Sequence, residues 1–247
     1  MTWTPRRRFW STAAVRAQAE GFAVDLDDRP LRTPAKAPLV VPTRALADAI
    51  AREWNALDVA IEPERLPFTR AASSAIDRVA GQRAGVVAAI AAYGETDLIC
   101  YRAEEPAALR ARQAAAWDPW LDWAERALAA PLVAVPGIVH RAQPAPSLAA
   151  LRAAVADLDA FALTALHELA ALSGSLVLAL AVSRGALDGA EAWDLSRIDE
   201  AWQIEQWGVD AEAAAAAARA GADFLRAEAL LGLLARPGPP PPLVNAS

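Results

Sequence analysis

The chain has 247 residues, of which 55% are hydrophobic and 22% charged, and a net charge of −6. That balance builds a sizeable core in one large or two small domains and excludes a disordered chain. The acidic excess argues against nucleic acid as the main partner, because phosphate binding rests on clustered Lys and Arg. The single cysteine, Cys100, excludes an intramolecular disulfide and zinc sites that need two or four cysteine ligands, and favours a reducing, cytoplasmic compartment.

In chain order, Met1 to Trp10 carries charge with no following apolar run, so it does not read as a secretory signal. Within it, Arg6-Arg7-Arg8 reads as a solvated arm or an anchor onto an acidic surface. Phe22, Val24 and Leu26 recur at period two, and Asp27-Asp28-Arg29-Pro30 supplies turn chemistry. Leu31-Arg-Thr-Pro and Leu39-Val-Val-Pro are short extended runs ended by proline. Gly21 to Pro42 is therefore expected to form a small β-rich meander, with its proline-bearing strands short or at a sheet edge. At Thr43, a good N-cap, the period turns helical: Leu46, Ile50, Trp54 and Leu57 make one apolar stripe. Arg65 to Val79 follows, with Pro67 suited to a first helical turn, and Gly81 and Gly85 mark a soft boundary.

Helices are expected over Val86 to Tyr93, Pro106 to Ala129, Ser147 to Ala156, Phe161 to Val182, Gly189 to Trp207 and Ala211 to Leu234. Leu169 to Val182 is the longest apolar stretch; it is too short for a bilayer span and reads as buried helix, so no membrane insertion is expected. Pro131 to Pro146 reads as a linker or short extended excursion. Pro237 to Ser247, opening Pro-Gly-Pro-Pro-Pro-Pro, cannot be helical and reads as a mobile tail. The fold class is α+β: a mixed α/β N-terminal domain over 1–84, a larger helical domain over 85–235, and a flexible proline-rich tail over 236–247.

Catalytic chemistry finds little support. His140 sits in the proline-rich connection and His167 in an apolar helix; without a second ligand at helical spacing, each reads as a loop or hydrogen-bonded structural histidine, and no metal is assigned. Ser173-Gly-Ser175 lies in a helical run and lacks the glycines of a nucleophile elbow, so small residues allowing close helix approach are the better account. Gly81 and Gly85 open no phosphate loop, and no cofactor is assigned. Glu95 and Asp97 suit a capped turn, with Thr96 or Asp97 as cap, better than an acid–base pair. Trp117, Trp120 and Trp123 at three-residue spacing read as core, with Trp120 against one of the other two.

Arg197 to Glu212 stands apart, concentrating aromatics and carboxylates in a chain otherwise rich in alanine. Between Asp199 and Glu212 there is no Ser, Cys, His or Lys to serve as a nucleophile. Glu200 and Gln203 share one side of a helix at i, i+3 spacing, and Glu205 and Asp210 or Glu212 follow beyond a turn. One reading is a core helix whose Trp202 and Trp207 fill the interior while Glu200, Glu205 and Glu212 are solvated. The other is a contact surface led by Glu200, in which Gln203, Glu205, Trp207, Asp210 and Glu212 complete the candidate partner-binding set.

An ordered set of landmarks spans nearly the whole chain. It runs Arg8-Phe-Trp, Val24-Asp-Leu-Asp-Asp-Arg-Pro-Leu-Arg-Thr-Pro34, Leu39-Val-Val-Pro-Thr, Glu53-Trp54, Ile61-Glu-Pro63, Thr96-Asp-Leu-Ile-Cys-Tyr-Arg102, Gln113, Trp117-Asp-Pro119, Ser173-Gly-Ser-Leu176 and Glu200-Ala-Trp-Gln-Ile-Glu-Gln-Trp-Gly208. In this set the chain resembles the assembly chaperones of the F-type ATP synthase that bind the unassembled alpha subunit of the catalytic head. The resemblance implies two domains and no catalytic activity. It implies a protein that keeps free alpha subunit from aggregating until it meets beta, by occupying surface that beta later covers. The family's functionally sensitive glutamate maps onto Glu200. A bacterial, cytoplasmic and monomeric member is expected, with mitochondrial-matrix counterparts in eukaryotes. The chain departs from the pattern at Asp27-Asp28-Arg29, where Asp-Gly-Arg is usual. The rival readings are a small hydrolase or lyase using carboxylates such as Glu95, Asp97 and Glu200, and a generic helical protein-interaction module.

Overall fold

The computed structural model describes residues 7–235, so Arg6 and the proline-rich tail over 236–247 lie outside the described residues. Strands β1 (Ala13–Gln18) and β2 (Gly21–Leu26) form an antiparallel hairpin with Ala13 opposite Leu26 and Gln18 opposite Gly21. The short strands β3 (Arg29–Pro30) and β4 (Val40–Val41) both pair antiparallel with β2. Proline thus stands in a two-residue strand, where its missing N–H costs little of the ladder. Between β2 and β3, Asp27 takes a positive φ of 52°. Its carboxylate accepts from the backbone N–H groups of Ser11 and Thr12 at 2.9–3.1 Å. These bonds hold its pKa below the ordinary carboxylate value. Aspartate here tolerates the left-handed conformation and ties the turn to the segment before β1.

Helix α1 (Arg44–Asn55) begins at the expected cap, Thr43 Oγ1 accepting from Leu46 N. Its buried stripe of Leu46, Ile50 and Trp54 lies against the sheet. The next helix, α2 (Pro67–Ser74), has proline in its first turn and no cap from Leu66. Glu53 of α1 supplies it instead, accepting from Phe68 N at 2.6 Å, Thr69 N at 2.9 Å and Thr69 Oγ1 at 2.6 Å. The Thr69 hydroxyl in turn accepts from Trp54 Nε1 at 3.0 Å. Burial pushes the Glu53 pKa up, opposed by these bonds. Glu53→Ala strips two helix-terminal amides of their acceptor and is expected to lower stability by about 2 kcal/mol in urea unfolding. Arg8, expected in a solvated arm, is a clamp: its guanidinium donates to the carbonyls of Trp10, Leu57 and Ser11.

After α2 a π-helical turn and a short 3₁₀ turn lead into α3 (Arg83–Ala91). Then come β5 (Tyr101–Arg102), α4 (Ala107–Leu128) and β6 (Val135–Pro136), which pairs parallel with β5 and gives the Pro131–Pro146 connection one anchored point. The remaining helices are α5 (Ala145–Ala156), α6 (Ala160–Ser173), α7 (Leu176–Ser183), α8 (Gly189–Ser196), α9 (Ile198–Trp207) and α10 (Ala211–Leu234). The continuous helices expected over 161–182 and 189–207 are each two. Gly174, at φ 70°, ends α6 in the left-handed conformation, and Ser175 caps α7 by accepting from Leu178 N. The small residues of Ser173-Gly-Ser175 are therefore a helix stop and restart rather than a close-approach stripe within a helix. Arg197, at φ −112°, breaks the second run. His167 is exposed on α6, not buried in the apolar face.

The architecture is α+β, a few N-terminal strands followed by a mostly helical remainder. Two apolar clusters organise it. One gathers Trp10, Val24, Leu39, Ile50, Trp54 and Leu57. The other centres on α7, whose residues Leu176 to Val182 are all buried, with Trp117, Leu166, Leu169 and Phe224 around it. Helix α10 contributes to both, with Leu230 in the first and Phe224 and Ala227 in the second.

Candidate partner-binding surface

Helix α9 is fastened along one side only. Trp117 Nε1 of α4 donates to Leu195 O at 2.9 Å, just before α9 begins. One turn back on α4, Gln113 donates through Nε2 to Asp199 Oδ1 at 2.6 Å while its Oε1 accepts from Ala103 N at 2.7 Å. Arg112 reaches both carboxylate oxygens of Glu205 at 2.7 and 2.9 Å. Ile198 is the one buried residue of α9. On the adjoining helix, Trp193 packs at 5.7 Å from Phe224, with the Arg197 guanidinium 5.3 Å above its ring.

The six candidate residues divide between α9 and the start of α10. Glu200 is half-exposed and pairs with Arg197 at 2.7 Å. Gln203 is exposed on the same helix, and exposed Glu205 is held by Arg112. Trp207 is 79% exposed at the last position of α9. Asp210 and Glu212 lie past Gly208, which ends α9 at φ 88°, and so belong to the start of α10 rather than to one continuous face. Asp210 is the α10 N-cap, accepting from Glu212 N at 2.8 Å and Ala213 N at 2.9 Å. Glu212 stands in the first turn, where its charge suits the helix dipole.

The reading in which Trp202 and Trp207 fill the interior fails for Trp207, while Trp202 is half-buried. The reason is positional: α4 meets α9 through Asp199 and Glu205, and Trp207 at the end of the helix stays uncovered among the described residues. Two residues escaped the sequence reading. Ile204 is 44% exposed and Val209 is 68% exposed, flanking Trp207. The available signal was Val209, an apolar residue in a turn between Gly208 and the Asp210 cap, where no helical period would bury it. Arg112 was missed too, since nothing local to α4 points to a carboxylate 93 residues away.

The other singled-out residues are structural. Asp97 is fully buried and accepts from Ile99 N at 3.2 Å and from Val177 N, at the start of α7, at 2.9 Å. Burial pushes its pKa up to about 6, opposed by bonds from Ser175 and the neighbouring amides. Glu95 is exposed, so the two carboxylates share no opening. The Cys100 thiol is pushed up to about 12, by burial first and then by the charge of Asp97, and is inert as a nucleophile at neutral pH. Trp117 is buried alone beneath Arg102, whose guanidinium lies 5.0 Å from its ring, while Trp120 and Trp123 pair edge-on at 6.2 Å. A groove of about 1090 Å³ opens between α2, α6 and α10, lined by Trp54, Phe68, Arg70, Glu168 and Arg226 among others. None of the candidate residues lines it. Among the described residues no group of His, Cys, Asp and Glu could hold a metal ion. No helix among them is long and apolar enough to cross a membrane.

Residues 7–125 match the family described as ATP12 chaperone protein. The crystal structure of Atp12 from Paracoccus denitrificans superposes with a TM-score of 0.90 at 50% identity, over 93% of this chain and 98% of that one. The Atu1473 protein from Agrobacterium tumefaciens gives a TM-score of 0.89 at 42% identity, over 93% of this chain and 86% of that one. Mitochondrial protein atp12 of Schizosaccharomyces pombe is 25% identical over 214 residues, which cover 82% of this chain and 74% of its own length. The hydrolase or lyase alternative is thereby set aside, since this is a family of chaperones and not of enzymes. With half its residues identical to the Paracoccus protein over nearly all of that chain, and the same fold, the chain belongs to the ATP12 chaperone family.

Proposed function

We propose that this chaperone serves assembly of the F-type ATP synthase, holding the unassembled alpha subunit of the catalytic head against aggregation until beta replaces it. The observation that carries the reading is the exposed apolar end of α9: Trp207, with Ile204 and Val209 beside it. A solvent-facing tryptophan contributes nothing to the fold and is the residue type most enriched in interface hot spots. Glu200, Gln203, Glu205 and Glu212 supply the polar rim, and Asp210 fixes the turn that sets their spacing. Release then follows from competition for the same surface, with no nucleotide or metal needed. We further propose that the chain divides near residue 84, that the helical part carries the contact, and that the protein works as a cytoplasmic monomer.

The reading is tested by offering purified alpha and beta subunits separately to the immobilised protein. Capture of alpha but not beta, together with slower alpha aggregation in light scattering, is the expected result; no effect on alpha ends the proposal. Glu200→Lys is expected to stay folded, because the half-exposed Arg197–Glu200 pair is worth about 1 kcal/mol or less. The same variant reverses charge on the acidic face and should capture about tenfold less alpha. Circular dichroism separates the outcomes: if the variant unfolds, Glu200 is structural and its place in the contact is lost.

A further inference from the structure

Eight large apolar side chains are exposed among the described residues, and five of them fall in two short segments. Three are Ile204, Trp207 and Val209. The other two are Ile138 and Val139, 94% and 79% exposed, in the connection that follows β6. Although the two segments are 65 or more residues apart in sequence, hydrogen bonds place both at the same end of α4.

The placement follows from the direction of α4 against α9. Trp117 meets Leu195, Gln113 meets Asp199 and Arg112 meets Glu205, so the two helices run antiparallel. The N-terminal end of α4 therefore points toward the free end of α9. The residues leading into α4 also carry the β6 segment. Tyr101 pairs with Val135, and Gly137 N donates to Arg102 O at 2.8 Å. The Glu104 side chain lies against Gly137, and Arg110 donates to the Glu104 carbonyl at 3.0 Å. On the far side of the apolar pair, His140 Nδ1 is 3.4 Å from the Tyr101 hydroxyl. Ile138 and Val139 are thus held at both ends and turned out between them.

The strip separating the two apolar points is acidic. Glu104 and Glu105 are exposed in the segment leading into α4, and Glu205 is exposed on α9. Of the nearby cations, Arg112 is paired with Glu205, Arg110 is turned to the Glu104 carbonyl and Arg141 is exposed two residues after Val139, so the acids of the strip without an ion pair are Glu104 and Glu105. Burying neither Ile138 nor Val139 costs solubility and gives the fold nothing, so a partner that covers them accounts for their place.

We propose that Ile138 and Val139 form a second contact of the same docking surface, so that the partner is held at two apolar points across an acidic strip. The matching face on the partner carries apolar side chains on either side of basic ones. This rests on the reading that the client is the unassembled alpha subunit.

The test places a photo-crosslinking amino acid at position 139, 207 or 59, the last an exposed valine of the N-terminal part, in otherwise full-length protein mixed with alpha subunit. Crosslinks to alpha from 139 and 207 but not 59 are expected. The Ile138→Ser/Val139→Ser double variant, folded by circular dichroism, should bind alpha at least about tenfold more weakly. Crosslinking from 207 alone, with wild-type affinity in the double variant, overturns the second contact and leaves the client assignment standing. If the unmodified protein captures no alpha at all, the client assignment fails and the second contact falls with it.

Discussion

Trp207→Ala is expected to lower affinity for alpha subunit by at least about 30-fold while leaving the unfolding free energy within about 0.5 kcal/mol of wild type. The two halves of that expectation come from one fact: the indole is 79% exposed and closes no part of either apolar cluster. Truncation therefore opens no cavity, whereas at a contact it removes the largest anchor on the surface. Titration calorimetry against alpha and urea unfolding, run on the same preparation, check both. A variant that binds as tightly as wild type removes Trp207 from the contact; one that unfolds early shows that the side chain has a structural neighbour after all.

Asp97→Ala should do the reverse, costing about 3 kcal/mol of stability at pH 7 by leaving the buried amides of Ile99 and Val177 without an acceptor. The titration adds a signature. The folded carboxyl has a pKa of about 6 against 3.8 unperturbed, so between these values the native state binds the proton more tightly than the unfolded chain. Stability from this group is accordingly greatest below about pH 4 and is lost as the pH rises toward 6. The total is about 3 kcal/mol for a rise of that size. Asp97→Asn cannot ionise, so its deficit relative to wild type should be larger at pH 4.5 than at pH 7. Equal deficits at both pH values would show that Asp97 is not protonated in the folded protein at pH 4.5.

How much was legible in the sequence varied with the range of the forces involved. Local signals worked: Thr43 caps α1, Pro67 opens α2, Asp97 caps its turn, and the 211–234 run is one helix. The runs over 161–182 and 189–207 were each read as one helix because composition is helical on both sides of each break. The first break is Gly174 in the left-handed conformation followed by the Ser175 cap, and the second is the single residue Arg197, which carries no stop signal of its own. Tertiary bonds were invisible. Nothing near Asp97 announces Val177, and nothing near Arg8 announces the Leu57 carbonyl. At the candidate surface the residue types were readable but their exposure was not, because tryptophan at helical spacing fills a core as readily as it meets a partner. The exposure of Ile204, Trp207 and Val209 among the described residues decided it.

Helix α10 ends in the cluster beneath the sheet and, two turns earlier, in the cluster around α7. A rod seated in both sockets couples their melting. Loosening either one frees the helix that plugs the other, so the strand-bearing and helical parts are expected to denature in a single transition rather than in sequence. The exposed first turns of the same rod are spared that burden. If the proposed contact holds, the client is exchanged at the exposed end of this helix while the other end keeps the molecule from coming apart.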